Sequence, residues 1–366
     1  MKKKYISLFS GIGGLDEGFH RSGFLPLLCC ELDPNAHATL KNWFNVRDVS
    51  PILETDVNLI DTIKLKSQLK LKSGELDLLV GGPPCQSFSL IGKRGSLFDS
   101  RGLLLYKMVD FARVFKPKAV VIEQVKGLLS AKDNSIEGGL VIDDVVAKLN
   151  SLGYSTSYKV LRAADYGVAQ LRDRVFIVAL KGKKPFNFPS PTHYDPDKNT
   201  DKQLTLFDKL LPYVTLKQAL HKLPKPVLKG QKEKIPSHID ITPARDRERI
   251  YDVPEGECLA KQFHLSADVR QRLTVKDTTK FRRMSWNKPT LTLRGGEAFY
   301  HPTENRYLTP REYLRIHSFP DDHILVGPIR GRSGSVKDLD QHRLVANAVP
   351  PLLAEAIAKE IFKQII

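Results

Sequence analysis

Residues 5–14 read Tyr5-Ile-Ser-Leu-Phe9-Ser10-Gly11-Ile12-Gly13-Gly14 and pass directly into Leu15-Asp-Glu-Gly-Phe19. An apolar run that ends in a glycine-rich turn and enters an amphipathic stretch is the opening of a βα unit. Glycines at such a turn let the backbone approach a ligand closely. As a dinucleotide fingerprint the stretch fails, because Gly11 and Gly13 fit GxGxxG but Asp16 stands at the third glycine position.

The alternation continues outward from this stretch. Candidate strands are Tyr5–Phe9, Leu25–Glu31, Leu76–Gly81, Ala119–Glu123, Tyr158–Leu161 and Arg174–Leu180. Several are unbroken Val/Ile/Leu runs, as suits strands covered on both faces. Helical patterns lie between them: Leu104, Met108, Phe111 and Phe115 form one stripe, and Pro34 opens a helix through Ala36, Ala38 and Leu40. This pattern predicts an open, mostly parallel α/β sheet. After Leu180 the texture changes, with prolines at 191, 196, 212, 224, 226, 236, 243 and 254. Such a stretch resists long regular elements. Order returns at Leu308–Phe319 and in a last helix where Leu353, Ile357, Ile361 and Ile365 repeat every four residues. The expected organisation is an α/β domain built from the N-terminal half and the C-terminal helix, with a basic, irregular domain inserted between them.

Composition narrows the function classes. At 41% hydrophobic and 27% charged, the 366 residues have an ordinary globular balance, which excludes disorder, collagen and coiled coil. No uncharged apolar run approaches the roughly 18 residues of a membrane span. The start, Met1-Lys-Lys-Lys-Tyr, lacks the apolar core and cleavage site of a signal peptide. Four cysteines (Cys29, Cys30, Cys85, Cys258) without CxxC spacing give neither a disulfide framework nor a metal site, and point to a reducing compartment. The formal net charge is +16. Residues 217–283 hold 16 Lys and Arg against nine Asp and Glu, a net +7 in under a fifth of the chain. A polyanion is therefore the first partner to consider, against the plainer reading of a solvated basic insert.

Chemistry-bearing residues cluster at the expected strand ends. Glu31 closes the second strand, where a carboxylate can accept from ribose hydroxyls. Without a pyrophosphate loop, a nucleoside lacking phosphates fits better than NAD, and S-adenosylmethionine is such a ligand. Gly81-Gly-Pro-Pro-Cys85-Gln-Ser-Phe-Ser89 follows the apolar strand Leu76–Val80. Cys29 and Cys30, inside an apolar run, read as inert core thiols. Cys85 follows two prolines that fix the backbone, at the sheet edge where open α/β folds place ligands, so it is a candidate nucleophile. The Gly- and Ser-rich stretch Ile91–Arg101 suits a loop that closes over substrate. Glu123 ends an apolar strand, where a carboxylate is costly to bury without a purpose. Arg172 and Arg174 stand two apart and would point to one side of an extended backbone.

Together these residues resemble the DNA (cytosine-5) methyltransferase family, in the motif order of the bacterial modification enzymes. The resemblance rests on Ser7-Leu-Phe-Ser-Gly-Ile-Gly-Gly14, Gly82-Pro-Pro-Cys-Gln86, Glu123-Gln-Val125, Gln170-Leu-Arg-Asp-Arg174, Arg311-Glu-Tyr-Leu-Arg-Ile-His-Ser-Phe-Pro320 and Asn347-Ala-Val-Pro-Pro351. It covers nearly the whole chain apart from the insert, whose end at Trp286-Asn-Lys-Pro-Thr-Leu-Thr292 also looks familial. It implies a Rossmann-like S-adenosylmethionine-dependent methyltransferase sheet, with a smaller target-recognition domain inserted before the C-terminal helix. Residues 1–184 plus 337–366 would be the catalytic, cofactor-binding domain and 185–336 the target-recognition domain and hinge.

The resemblance also implies roles. Cys85 would be the nucleophile and Glu123 the acid, with Arg174 on the base and Arg172 in support. Phe9, Gly11, Ile12, Gly14, Glu31, Leu32, Asp56, Val57, Pro84, Leu104 and Asn347 would line the cofactor pocket, and no metal is expected. The implied partner is double-stranded DNA, bound at a short sequence after the target base is flipped out. The implied setting is a monomer in the prokaryotic cytoplasm, associated with the nucleoid and not with a membrane. A restriction endonuclease would act on the same site without forming a complex. Two positions depart from the family's usual pattern: Gln124 replaces an asparagine, and Ala346 replaces a glycine, which costs about 1 kcal/mol if that position needs a positive φ. Rival readings are the RNA-methylating branch, whose typical Cys-Phe-Thr is absent, a non-catalytic DNA-binding relative, and a nicotinamide dehydrogenase.

Overall fold

Short runs of Val, Ile and Leu pair into one seven-stranded sheet, which organises the first of two units in the chain. The computed structural model describes residues 2–84, 103–132, 139–182, 184–198, 210–259, 266, 281–295, 297–330 and 338–365. The sheet strands are β1 (Lys3–Leu8), β2 (Phe24–Cys30), β3 (Ile52–Glu54), β4 (Leu78–Gly81), β5 (Ala119–Val125), β6 (Tyr154–Arg162) and β8 (Asp173–Lys181). A two-residue strand, β7 (Gln170–Leu171), lies outside this sheet. The sheet order is β3-β2-β1-β4-β5-β8-β6, with only β8 antiparallel to its neighbours. The chain runs outward from β1 to β2 and β3, then returns to the other side of β1 through β4. That reversal opens a crevice at the C-terminal ends of β1 and β4, where open α/β sheets hold ligands.

Helices α1 (Gly14–Arg21), α2 (Pro34–Arg47), α3 (Thr62–Gln68), α4 (Leu103–Phe115) and α5 (Val141–Ser151) cover the sheet in the first unit. α2 starts where the sequence places Pro34, with the Asp33 side chain accepting from the N–H groups of Asn35 and Ala36. One core cluster joins Ile6 and Leu8 of β1, Leu79 of β4, Met108 and Phe111 of α4, and Val120 and Ile122 of β5. The sheet departs from the sequence reading at two strands in particular. β3 is absent from the sequence reading because three residues are too few to show a period. β6 begins at Tyr154, four residues before the expected start, because Ser155, Ser157 and Lys159 give this edge strand a polar texture.

The C-terminal helix, Pro351–Gln364, belongs to the first unit. Gly18 of α1 makes this docking sterically feasible: a Cβ there would lie 2.5 Å from Ala354 Cβ and 2.6 Å from the Glu355 nitrogen. At the far end, Lys3 Nζ donates to the carbonyls of Phe362 (2.9 Å) and Ile365 (2.6 Å), satisfying acceptors that the last turn cannot.

The second unit comprises residues 163–172 and 191–350. Its described strands are two residues long, such as Gln170–Leu171 beside Thr290–Leu291 and Arg282–Arg283 beside Phe299–Tyr300. With so little ladder, many carbonyls need other donors, and buried arginines supply them. Arg283 donates to the carbonyls of Ile250 (2.7 Å), Val253 (2.8 Å) and His301 (3.0 Å), and to Asn305 Oδ1 (2.6 Å). Arg311 does the same for Pro236, Asp321 and His323. Arg283, counted above in the basic stretch, is thus a buried structural group. Residues 163–172 group with the second unit, as do those up to Pro350. The cause is local, since β7 pairs with Thr290–Leu291 and Arg172 bonds the Leu293 and Ala348 carbonyls. No helix among the described residues is long and apolar enough to cross a membrane.

Candidate active site

The first unit gathers most of the expected site residues at the C-terminal edge of its sheet. β1 ends at Leu8, and Phe9 turns the chain with φ 58°, a left-handed conformation that costs a bulky residue about 1 kcal/mol. Gly11 (φ +57°) and Gly13 (φ +83°) continue the turn into α1, which starts at Gly14 without a side-chain cap. A Cβ on Gly11 would meet nothing within 4 Å, so the turn borders open space.

Glu31, just past β2, ties two turns together. Its Oε2 accepts from the Gly11 N–H at 2.7 Å and its Oε1 from the Asp33 N–H at 2.8 Å. Burial raises its pKa, partly opposed by those two N–H groups. Each carboxylate oxygen retains a second acceptor site. Leu32, next to it, is 68% exposed. Asp56 caps a short turn after β3, accepting from Asn58 N (2.9 Å) and Asn58 Nδ2 (3.0 Å). Ile12 and Val57 are buried. Pro84 is exposed, and Leu104 is half-buried against the core.

Two strands further along the edge, Glu123 of β5 and Arg174 of β8 form an ion pair at 2.8 Å. The antiparallel register sets Val125 opposite Arg174, so the pair bridges the two strands diagonally. Both side chains are largely buried, and Arg174 Nη1 also donates to the Asp173 carbonyl at 2.8 Å. A Cβ on Gly82 would stand 3.2 Å from Glu123 Oε2, so the glycine admits the carboxylate beside the end of β4. Arg162 holds Asp173 through bonds of 2.8 and 3.3 Å and keeps its carboxyl below the usual range. Cys85 lies outside the described residues, as does the segment Ile91–Arg101.

Arg172 is the residue read as supporting the site. It lies between β7 and β8, belongs to the second unit and is 1% exposed. Its guanidinium donates to the Leu293 (3.3 Å) and Ala348 (3.1 Å) carbonyls. Arg172 itself falls in neither strand, between Leu171 of β7 and Asp173 of β8. Asn347, also in the second unit, ends the helix Gln341–Asn347 with an exposed side chain. Ala346 sits inside that helix and is not among the residues with positive φ, so it carries no glycine-type strain.

One buried group escaped the sequence reading. Asp16 is fully buried in α1, accepts from Tyr5 Oη at 3.1 Å, and has its pKa raised to about 6 by burial. Its position in the failed GxGxxG was visible, but its partners across the fold were not. Cys29 and Cys30 behave as inert core thiols: burial pushes Cys29 well above its ordinary value and Cys30 up to about 12.

A mostly parallel sheet with this order, a glycine turn after β1 and a carboxylate after β2 is the fold of the S-adenosylmethionine-dependent methyltransferases. The sequence matches the C-5 cytosine-specific DNA methylase family over residues 3–363, and the chain belongs to that family of DNA methyltransferases. Among relatives, it is similar to Type II methyltransferase M.AquIA of Picosynechococcus sp., 42% identical over 61% of this chain and 90% of the relative. It is 31% identical to Type II methyltransferase M1.HphI of Haemophilus parahaemolyticus over 99% of this chain and 87% of the relative. It is 32% identical to Type II methyltransferase M.DdeI of Desulfomicrobium norvegicum over 97% and 88%. The fold resembles the crystal structure of a DNA modification methyltransferase encoded within an E. coli prophage, with TM-score 0.68, 23% identity and 99% of both chains covered. It also resembles the Entamoeba histolytica methyltransferase EhMeth, with TM-score 0.57, 17% identity and 100% and 99% covered.

Proposed function

We propose that this chain methylates C5 of cytosine at a short sequence of double-stranded DNA, with S-adenosylmethionine as donor and Cys85 as nucleophile. The observation that carries the reading is the Glu123–Arg174 pair beside Gly82, at the sheet edge that also holds the glycine turn and Glu31.

The residues fit the cofactor. The open space at Gly11 admits a ligand against the backbone, Glu31 keeps acceptor capacity for ribose hydroxyls, and Leu32 offers an exposed apolar face for a purine. Phe9, Gly14, Asp56, Pro84, Leu104 and Asn347, with the backbones of Ile12 and Val57, complete the proposed set. When bound, S-adenosylmethionine supplies an electrophilic methyl group.

The chain's own residues prepare the base. Cytosine C5 is a poor nucleophile, so the Cys85 thiolate adds to C6 and shifts the ring's electron pair toward C5. Glu123 donates a proton at N3 as negative charge develops there, and Arg174 holds O2. C5 takes the methyl group, a base then removes the C5 proton, and the C6–S bond breaks to return the thiolate. A stacked base is out of reach of this arrangement, so the target is flipped out at a cost of a few kcal/mol, offset by protein contacts. In this reading the second unit recognises the target: exposed basic side chains bind phosphates and a smaller set reads base edges. Arg172 shapes that unit from within.

The similarity to Type II methyltransferases supports a role as the modification enzyme of a restriction-modification system. Its endonuclease would act separately on the same site, and the methylase would work as a cytoplasmic monomer at the nucleoid. The test is methyl transfer from labelled S-adenosylmethionine to unmethylated bacterial DNA, followed by digestion to nucleosides, with Cys85→Ala alongside. Label in 5-methylcytosine that vanishes in the variant supports the reading. Label elsewhere, or on RNA alone, overturns it.

A further inference from the structure

The ladder between β4 and β5 stops at Gly81, which pairs with Ile122. Continued by two residues, that register sets Gly82 opposite Glu123 and Pro83 opposite Gln124. No further ladder bond can use an N–H of Pro83 or Pro84, because neither proline has one. The carbonyls are therefore the only backbone hydrogen-bonding groups by which the sheet can hold this dipeptide. Gln124 reaches one of them: its Nε2 donates to the Pro83 carbonyl at 2.6 Å.

The arm that makes this bond is rigid. Gln124 is 2% exposed, and its backbone is paired with Val175 of β8 on the other side. Its Oε1 is buried and has no partner among the described residues. A polar side chain held half-satisfied in a core costs free energy, so its one bond calls for an explanation. The two neighbours on β5 thus meet successive residues of β4's exit: Glu123 lies beside Gly82, and Gln124 bonds Pro83.

We propose that Gln124 is a positioning residue that fixes the Pro83-Pro84 track, and so the place from which Cys85 meets the base relative to Glu123. This rests on the nucleophile role proposed above for Cys85. A shorter Asn at this position would start its amide one methylene further from Pro83. The extra reach of Gln thus suits the spacing of these two strands.

The test compares the full-length wild type with Cys85→Ser, Gln124→Met and Gln124→Glu in single-turnover methyl transfer. Melting temperature, cofactor Kd and DNA KM are measured on the same preparations. Gln124→Met keeps the length and removes the donor, so the transfer rate should fall about tenfold to a hundredfold, the scale of an ångström misplacement. Cofactor Kd and DNA KM should stay within about twofold of wild type. Gln124→Glu gives a readout that a space-filling role would not move. Its acid form can still donate to Pro83 and its carboxylate cannot, so its rate relative to wild type should fall as pH rises from about 5.5 to 8.5.

Wild-type rates in Gln124→Met, or a Gln124→Glu profile parallel to wild type, overturn the inference. If Gln124→Met does not fold, the Gln124→Glu profile decides. If Cys85→Ser keeps its turnover, the nucleophile reading fails and takes this inference with it. If Cys85→Ser is dead and the Gln124 variants are normal, only the positioning role fails.

Discussion

The carboxylate of Glu31 accepts the backbone N–H of Gly11 at 2.7 Å, joining the turn after β1 to the turn after β2. The same side chain holds the N–H of Asp33, the residue that caps α2. One carboxylate therefore fixes both edges of the proposed nucleoside site before any ligand arrives. Such preorganisation reduces the ordering cost of binding.

Glu31→Gln tests this arrangement with little change of shape. An amide has one acceptor oxygen, so its NH2 must face the N–H of either Gly11 or Asp33. We expect cofactor affinity to drop about tenfold or more, corresponding to about 1.4 kcal/mol or more, read by calorimetric titration. Unchanged affinity would remove Glu31 from the pocket.

Much of this edge was legible in the sequence because its elements are local. The glycine turn, the end of β2 and the Pro-Pro dipeptide each show in a few consecutive residues. The Glu123–Arg174 pair needed the antiparallel insertion of β8 beside β5, which no local pattern reveals. The carbonyl partners of Arg172 were hidden for the same reason: Leu293 and Ala348 are more than a hundred residues away in sequence. The second unit was least legible, because two-residue strands and buried arginines leave no periodicity to read.

Gly18→Ala tests the union of α1 with the C-terminal helix. The added methyl would stand 2.5 to 2.7 Å from Ala354 Cβ, the Glu355 nitrogen and the Pro351 carbonyl. Two of these atoms are backbone and cannot swing aside, so the helices must separate. Overpacking of this kind costs about 1–3 kcal/mol or more, and the denaturation midpoint should fall accordingly. A midpoint equal to wild type would mean that the two helices part freely.

The exposed lysines of the second unit give a prediction about DNA. Lys229, Lys232 and Lys234 are exposed in the segment between Val227–Leu228 and Ile239–Asp240. Each that meets a phosphate releases counterions on binding. The triple change to Ala should weaken DNA binding and flatten the plot of log K against log salt, by up to about 0.9 per lost contact. An unchanged slope would place the DNA on another face.

Asp16 gives the stability of the first unit a pH dependence of defined sign. Its pKa is about 6 when folded against 3.8 for an ordinary aspartate, because burial penalises the charged form. Below about pH 4 the group is protonated in both folded and unfolded chains, and its burial carries no ionisation penalty. As pH rises through about 4 to 6, the unfolded chain releases the proton first, so the folded state loses stability. The loss approaches about 3 kcal/mol and levels off above pH 6. Asp16→Asn stays neutral throughout and can still accept from Tyr5 Oη. It should match wild type near pH 4, and above pH 6 it should unfold at higher denaturant concentration. Parallel stability profiles for the two proteins from pH 4 to 8 would show that Asp16 keeps its charge in the core at little cost.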